Sequence, residues 1–109
     1  VVHTAFQTSL GRTVAVKRLK PPGLAGPARL FEHEARITAG LAHPSVLPIH
    51  DLAHIDGQPA LIMKRIEGRT WEDALRAARA DGTFDLPTAV RVLAAVAGAA
   101  AWAHSRGVL

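Results

Sequence analysis

The break at Glu67-Gly68 constrains this chain more than any other feature. Upstream of it, β-branched and alternating segments dominate, and downstream the pattern is only helical. Residues 1–7 read as a strand and Thr8-Ser9-Leu10-Gly11 as the turn into a second strand, Arg12 to Leu19. Residues 20–27, rich in Pro and Gly, read as a loop, and a helix is expected from about Ala28 to Leu41, stopped by Ala42-His43-Pro44. Val46 to Ile55 reads as a strand that Pro48 confines to an edge or delays. Asp56-Gly57 is a strong hairpin turn, and Gln58 to Ile66 is the returning strand. After the break, Thr70 opens a helix with Asp73 in the acidic place of a capping box, and Asp81-Gly82 ends it. Pro87 stands at the start of a long helix that runs to about Arg106, with Gly107 as its stop. The order β-β-α-β-β followed by α-α predicts an α+β chain: an antiparallel sheet with one helix (residues 1–66), a linker (67–70) and a helical unit (71–109). Clefts between two such packing units bind ligands.

Composition narrows the classes. The 109 residues suit one small domain or a piece of a larger one, and 49% hydrophobic residues suffice for a core. With no cysteine, disulfides and thiolate metal sites are excluded. The net charge of +4 is spread from Arg12 to Arg106 with no basic run longer than two, and tyrosine is absent, so no nucleic-acid partner is expected. The apolar stretch Leu93 to Ala103 is too short to span a bilayer and is flanked by Arg91 and His104. The long helix is apolar on several faces (Val90, Leu93, Val96, Ala97, Trp102) and expects burial. The absence of an initiator Met, and an end at Gly107-Val108-Leu109 just past a helix, are expected of a piece of a longer domain. The six histidines lack metal-ligand spacing: His50 and His54 share a strand face by period two but have no third ligand, so no metal site is expected here.

Two residues are out of place for a plain core. In Thr13-Val14-Ala15-Val16-Lys17, period two puts Lys17 on one face with Ala15, opposite the two valines. Lys17 either points to solvent or faces a cleft that holds something negative. In the first helix, Leu30, Ile37 and Leu41 form an apolar stripe at helical spacing with Glu34 inside it. A carboxylate there either sits at the stripe's margin in water or needs a cation, because its desolvation costs several kcal/mol, about. Lys17 lies on the sheet this helix must cover.

Val14-Ala15-Val16-Lys17, Glu34, His43-Pro44, Leu61-Ile62-Met63-Lys64-Arg65-Ile66-Glu67-Gly68 and Ala103-His104-Ser105-Arg106-Gly107-Val108 together resemble a eukaryotic-type protein kinase, of the bacterial serine/threonine sort. The resemblance covers essentially the whole chain. It implies the N-lobe sheet with one helix, then the hinge and the first two helices of the C-lobe, an incomplete kinase domain. It implies that Lys17 holds the α- and β-phosphates of ATP and that Glu34 pairs with Lys17 and fixes it. It further implies that Val2 covers the base from above, that Ala15 lies against the adenine and that Met63 is the gatekeeper. By the same resemblance Lys64 to Ile66 are expected to form the hinge, reading the adenine edge through backbone groups, and Thr70 to stand near the ribose.

The catalytic loop and the Mg2+ ligands of such kinases have no counterpart in these residues. The resemblance therefore implies that the parent, with ATP and Mg2+, phosphorylates protein hydroxyls in the cytoplasm, while this segment alone is inactive. It leaves membrane anchoring of the parent open. Three features depart from the family's pattern. Lys64-Arg65 make the hinge basic, Thr38 replaces a large apolar residue four after Glu34, and Trp71 replaces a leucine beneath the adenine. The first two motivate the alternative of a pseudokinase, a regulatory nucleotide-binding or scaffold module.

Overall fold

The computed structural model describes residues 2–19 and 25–109. Most of the expected loop, residues 20–24, lies outside the described residues, as does Val1. Seven elements follow in order: β1 Val2–Gln7, β2 Arg12–Arg18, α1 Ala25–Ala39, β3 Ile49–Ile55, β4 Gln58–Lys64, α2 Trp71–Asp81 and α3 Leu86–Ser105. They divide into two compact units, Val1–Ile66 and Glu67–Leu109.

The first unit is a four-stranded antiparallel sheet in the order β1-β2-β4-β3. Asp56 and Gly57 turn β3 into β4 with φ of 53° and 76°, the left-handed pair that matches strand twist. Pro48 acts in both ways the sequence allowed. It delays β3 to Ile49, and β3 is an edge strand. Helix α1 starts at Ala25, three residues earlier than expected, because Pro27 falls in a first turn where its missing N–H costs no hydrogen bond. It stops at Ala39, where Gly40 N–H reaches back to the carbonyls of Arg36 and Ile37.

The sheet has two apolar faces. Ala15, Leu61 and Met63 meet Phe31 and Ala35 of α1, ringed by Leu19, Leu47, Ile49 and Leu52. Val14, Val16 and Ala60 pack on the opposite face with Ala5, Ile55 and Ile62. The stripe expected on α1 is therefore corrected. Phe31 and Ala35 face the core, whereas Leu30 is 58% and Ile37 36% exposed. The helix is rotated by about one residue, ~100°, from the Leu30–Ile37 reading. The large Phe31 beside the small Ala35 lets the helix sit close on the sheet, which two branched aliphatics do not. Glu32 ties α1 to the neighbouring strand through His54, at 3.3 Å, and bonds Arg36 of its own helix at 3.4 Å.

In the second unit, Thr70 caps α2 by accepting the Asp73 N–H (3.1 Å), and Gly82, with φ of 67°, closes it. Asp85 caps α3 by accepting the Thr88 N–H (3.2 Å) ahead of Pro87 in the first turn. Among the described residues α3 is one helix long and apolar enough, by length and composition, to cross a membrane. This corrects the shorter apolar stretch read from sequence: the helix begins at Leu86, so Leu86, Val90 and Val92 join the run and only Arg91 interrupts it. Against the burial its composition leads one to expect, Leu86, Val90, Leu93 and Val96 are between 55% and 64% exposed, while Ala89 is buried.

Candidate functional site

The strand registers assemble a cavity within the first unit. Thr4 pairs with Ala15 and Ala15 with Met63, while Val2 pairs with Lys17 and Lys17 with Leu61. Paired residues of antiparallel strands share a face, so Val2, Thr4, Ala15, Lys17 and Met63 all lie on the α1 side. The cavity, of about 390 Å3, is lined there by Val2, Thr4, Ala15, Leu47 and Met63, with His3 between the first two, and by Lys64, Arg65 and Ile66 as the chain leaves the sheet. Its wall owes its depth to Ala15. This residue is 9% exposed with no side chain beyond Cβ, so the space between Thr4 and Met63 stays open.

Of the residues singled out in the sequence, five meet at this cavity: Val2, Ala15, Met63, Lys64 and Ile66. Lys64 contributes its main chain. Its register partner is Val14, on the opposite face of the sheet, so its side chain leaves the cavity. The Lys64 N–H is bonded to the Pro48 carbonyl (3.0 Å), which anchors the end of β4 to the segment before β3. Polar main chain beside an apolar wall can hold a flat heterocycle by hydrogen bonds along one edge and by contact on its faces.

Lys17 and Glu34 do not line the cavity. Lys17 stands two residues beyond Ala15 on the same face and is exposed. Glu34 is exposed too, because the rotation of α1 gives the buried positions to Phe31 and Ala35. Its carbonyl accepts the Thr38 hydroxyl at 2.9 Å, and among the described residues no ion pair joins Glu34 to Lys17. Thr70, in the second unit, spends its hydroxyl on the α2 cap. Among the described residues no group of three His, Asp or Glu side chains is placed to hold a metal ion.

Sequence reasoning missed three wall residues, His3, Thr4 and Leu47. Thr4 was accessible through period two once the β1–β2 register was known. Leu47 comes from an irregular segment before β3, where no periodicity exists to place it. The shared face read for His50 and His54 is also corrected. A register shift between Ile49 and Asp51 inserts His50 as an extra residue, which breaks the period between the two rings. His54 reaches Glu32 of α1, whereas His50 lies under the charges of Arg12 and Lys64.

No protein-family profile matches the chain. Curated relatives do. It is 34% identical over 110 residues to the serine/threonine-protein kinase PknH of Mycobacterium tuberculosis, covering 99% of this chain and 17% of that protein. It is 32% identical over 110 residues to the serine/threonine-protein kinase pkn2 of Myxococcus xanthus, covering 99% and 13%. Among solved structures, the kinase domain of Mycobacterium tuberculosis PknI superposes with a TM-score of 0.80 at 29% identity, over 99% of this chain and 44% of that one. The chain thus spans less than a fifth of the curated relatives' length and less than half of the solved domain.

Proposed function

The chain belongs to the bacterial serine/threonine protein kinases, and we propose that it is the part of such a kinase that holds ATP. The observation that carries this reading is the convergence of Val2, Ala15, Met63, Lys64 and Ile66 on one cavity. The adenine enters between Val2 and Ala15, with Met63 at the back of the wall. Its edge bonds to main-chain groups of Lys64 to Ile66. The Lys64 N–H is already engaged by Pro48, so the Lys64 carbonyl and the Ile66 N–H are left for the base. The basic side chain of Lys64 does not obstruct this, because it points to the other face of the sheet.

Lys17 projects from the same face as Ala15, one step further along β2, where a triphosphate extending from the cavity passes. Its compact ammonium suits the phosphate oxygens. In the unpaired arrangement of Lys17 and Glu34, the lysine is not yet fixed. A shift of α1 on the sheet that brings Glu34 to Lys17 orients the ammonium toward the phosphates. The parent then transfers the γ-phosphoryl group to a serine or threonine hydroxyl of a protein: the bond from γ-phosphorus to the bridging oxygen breaks, one to the hydroxyl oxygen forms, the hydroxyl proton passes to a base, and ADP leaves. Mg2+ neutralises the phosphates in such a reaction, and its ligands and the catalytic base are assigned to the remainder of the domain, so the segment alone is inactive. The reaction belongs in the cytoplasm, where ATP is. We read α3 as a helix of the domain interior, its apolar faces meant for the rest of the fold, with Arg91 in its second turn against a bilayer span.

A second reading, a pseudokinase that binds nucleotide without transferring phosphate, is favoured by the unpaired Lys17 and Glu34. Lys17→Met in the full-length protein separates the two. The account expects loss of at least 100-fold in phosphotransfer with an unchanged unfolding midpoint. Retention of near wild-type transfer by that variant removes Lys17 from the mechanism, and absence of transfer in the wild type with intact ATP binding selects the second reading.

A further inference from the structure

The face of the sheet opposite α1 gathers basic side chains from three strands. Lys64 on β4 pairs with Val14 of β2, and Arg12 lies two residues before Val14, so Arg12 and Lys64 are diagonal neighbours on that face. β4 lies between β2 and β3, which sets Lys64 between Arg12 and the register shift of β3 that carries His50. We propose that Arg12, His50 and Lys64 form a binding site for a phosphate monoester dianion.

The guanidinium of Arg12 is held in place: its Nε donates to Oε1 of Gln7, the cross-strand partner, at 2.7 Å. Among the described residues no other partner occupies the two terminal nitrogens of Arg12, and none occupies the Lys64 ammonium. That leaves a fork suited to two phosphate oxygens and a point charge for a third. Three other basic side chains are answered by carboxylates: Arg18 at the far end of the same strand by Asp56, Arg36 by Glu32, and Arg76 by Glu72. Asp51, the residue after His50, turns Oδ1 onto the Leu52 N–H (2.8 Å), and no ion pair joins it to the three among the described residues. The cluster is therefore a local excess of positive charge, with its mutual repulsion left standing. His50 registers that repulsion. Burial, then the charges of Arg12 and Lys64, hold its pKa below the ordinary 6.5.

A dianion with three free oxygens fits this set better than a monocarboxylate, which carries half the charge. A nucleic-acid track is disfavoured because the cluster is compact. Along the sheet it gives way to apolar Val16, Ala60 and Ile62 rather than to further cations. Phosphoserine or phosphothreonine in a polypeptide and free inorganic phosphate present the same chemistry. Either ligand raises the His50 pKa, so by reciprocity binding gains from protonation of His50.

The test uses the full-length protein and calorimetric titration with a phosphothreonine peptide, its unphosphorylated twin, inorganic phosphate and a single-stranded oligoribonucleotide. Variants are Arg12→Gln, Arg12→Lys, His50→Gln and the control Arg18→Gln. The proposal expects the phosphopeptide to bind and the twin not to. Arg12→Gln weakens binding at least tenfold, Arg12→Lys restores part of it, and Arg18→Gln leaves it within twofold. The gain in affinity from pH 7.5 to 6.5 is larger in the wild type than in His50→Gln. Binding of inorganic phosphate but not peptide, with the same Arg12 dependence, supports the site and names the free anion as its source. Equal binding of both peptides, equal losses from Arg12→Gln and Arg18→Gln, binding of the oligoribonucleotide alone, or no binding of either phosphate overturns it.

Discussion

Replacing Phe31 by alanine tests how α1 is seated, and through it where Glu34 can go. Phe31 is 9% exposed and packs among Ala15, Ala35, Leu61 and Met63. Truncating a buried Phe to Ala costs about 3–5 kcal/mol, and the partial exposure places this site toward the lower end, about 3. Leu30, next in the chain and equally apolar, is 58% exposed. With about 2 kcal/mol for complete burial of a leucine, the remaining two-fifths amounts to about 0.8 kcal/mol. The two variants thus differ by about 2 kcal/mol although they are adjacent and of similar chemistry. Equilibrium urea unfolding of the full-length protein measures this, with helix signal and Trp fluorescence both recorded to check that the transitions coincide. Equal midpoints for the two variants, or a larger loss at Leu30, would falsify the seating of α1 on Phe31 and Ala35 and restore the Leu30–Ile37 stripe.

Three further outcomes follow from the same geometry. Ala15→Leu fills the space between Thr4 and Met63, so ATP affinity in an equilibrium binding assay falls at least tenfold while phosphate-free adenosine loses as much, since the loss is at the base; unchanged adenosine binding sinks the adenine assignment. Asp85→Ala removes the cap of α3 and lowers stability by about 1 kcal/mol in urea unfolding, whereas Asp81→Ala, which caps nothing, stays within 0.5, about. His50 binds its proton less readily folded than unfolded, so the unfolded chain holds more protons below its ordinary pKa of 6.5. The stability tied to His50 is therefore present above that pH and declines as pH falls through 6.5 toward the lower folded value, and His50→Gln flattens this part of the pH profile.

Local chemistry made much of the fold legible. The hairpin at Asp56-Gly57, the caps Thr70 and Asp85, and the stop at Gly82 each depend on a few adjacent residues whose backbone preferences dominate. The apolar face of α1 was not legible, because Leu30, Phe31, Ala35 and Ile37 supply two overlapping stripes and only the sheet selects between them. On the chosen side Thr38 is half-buried, whereas Glu34 is exposed. The period-two reading of β3 failed for a related reason: a register shift depends on the partner strand and leaves no mark in the segment itself. At the site, the wall from β1, β2 and β4 followed from alternation, whereas Leu47 did not, since it reaches the cavity from irregular chain. The basic hinge read as a departure from the family pattern has a geometric resolution at Lys64, whose side chain belongs to the opposite face.

The cavity of Val2, Ala15 and Met63 as an adenine site is the central claim, and Met63 offers a direct report on it. It is the single methionine of these residues, 8% exposed at the back of the wall. In the full-length protein with 13C-labelled methionine methyls, the Met63 resonance is identified by its loss in Met63→Leu and followed during titration with ATP. The account predicts a saturable shift of that resonance, reproduced by adenosine and abolished in Ala15→Leu. An unmoved Met63 methyl at ATP concentrations that saturate the protein by calorimetry would contradict it.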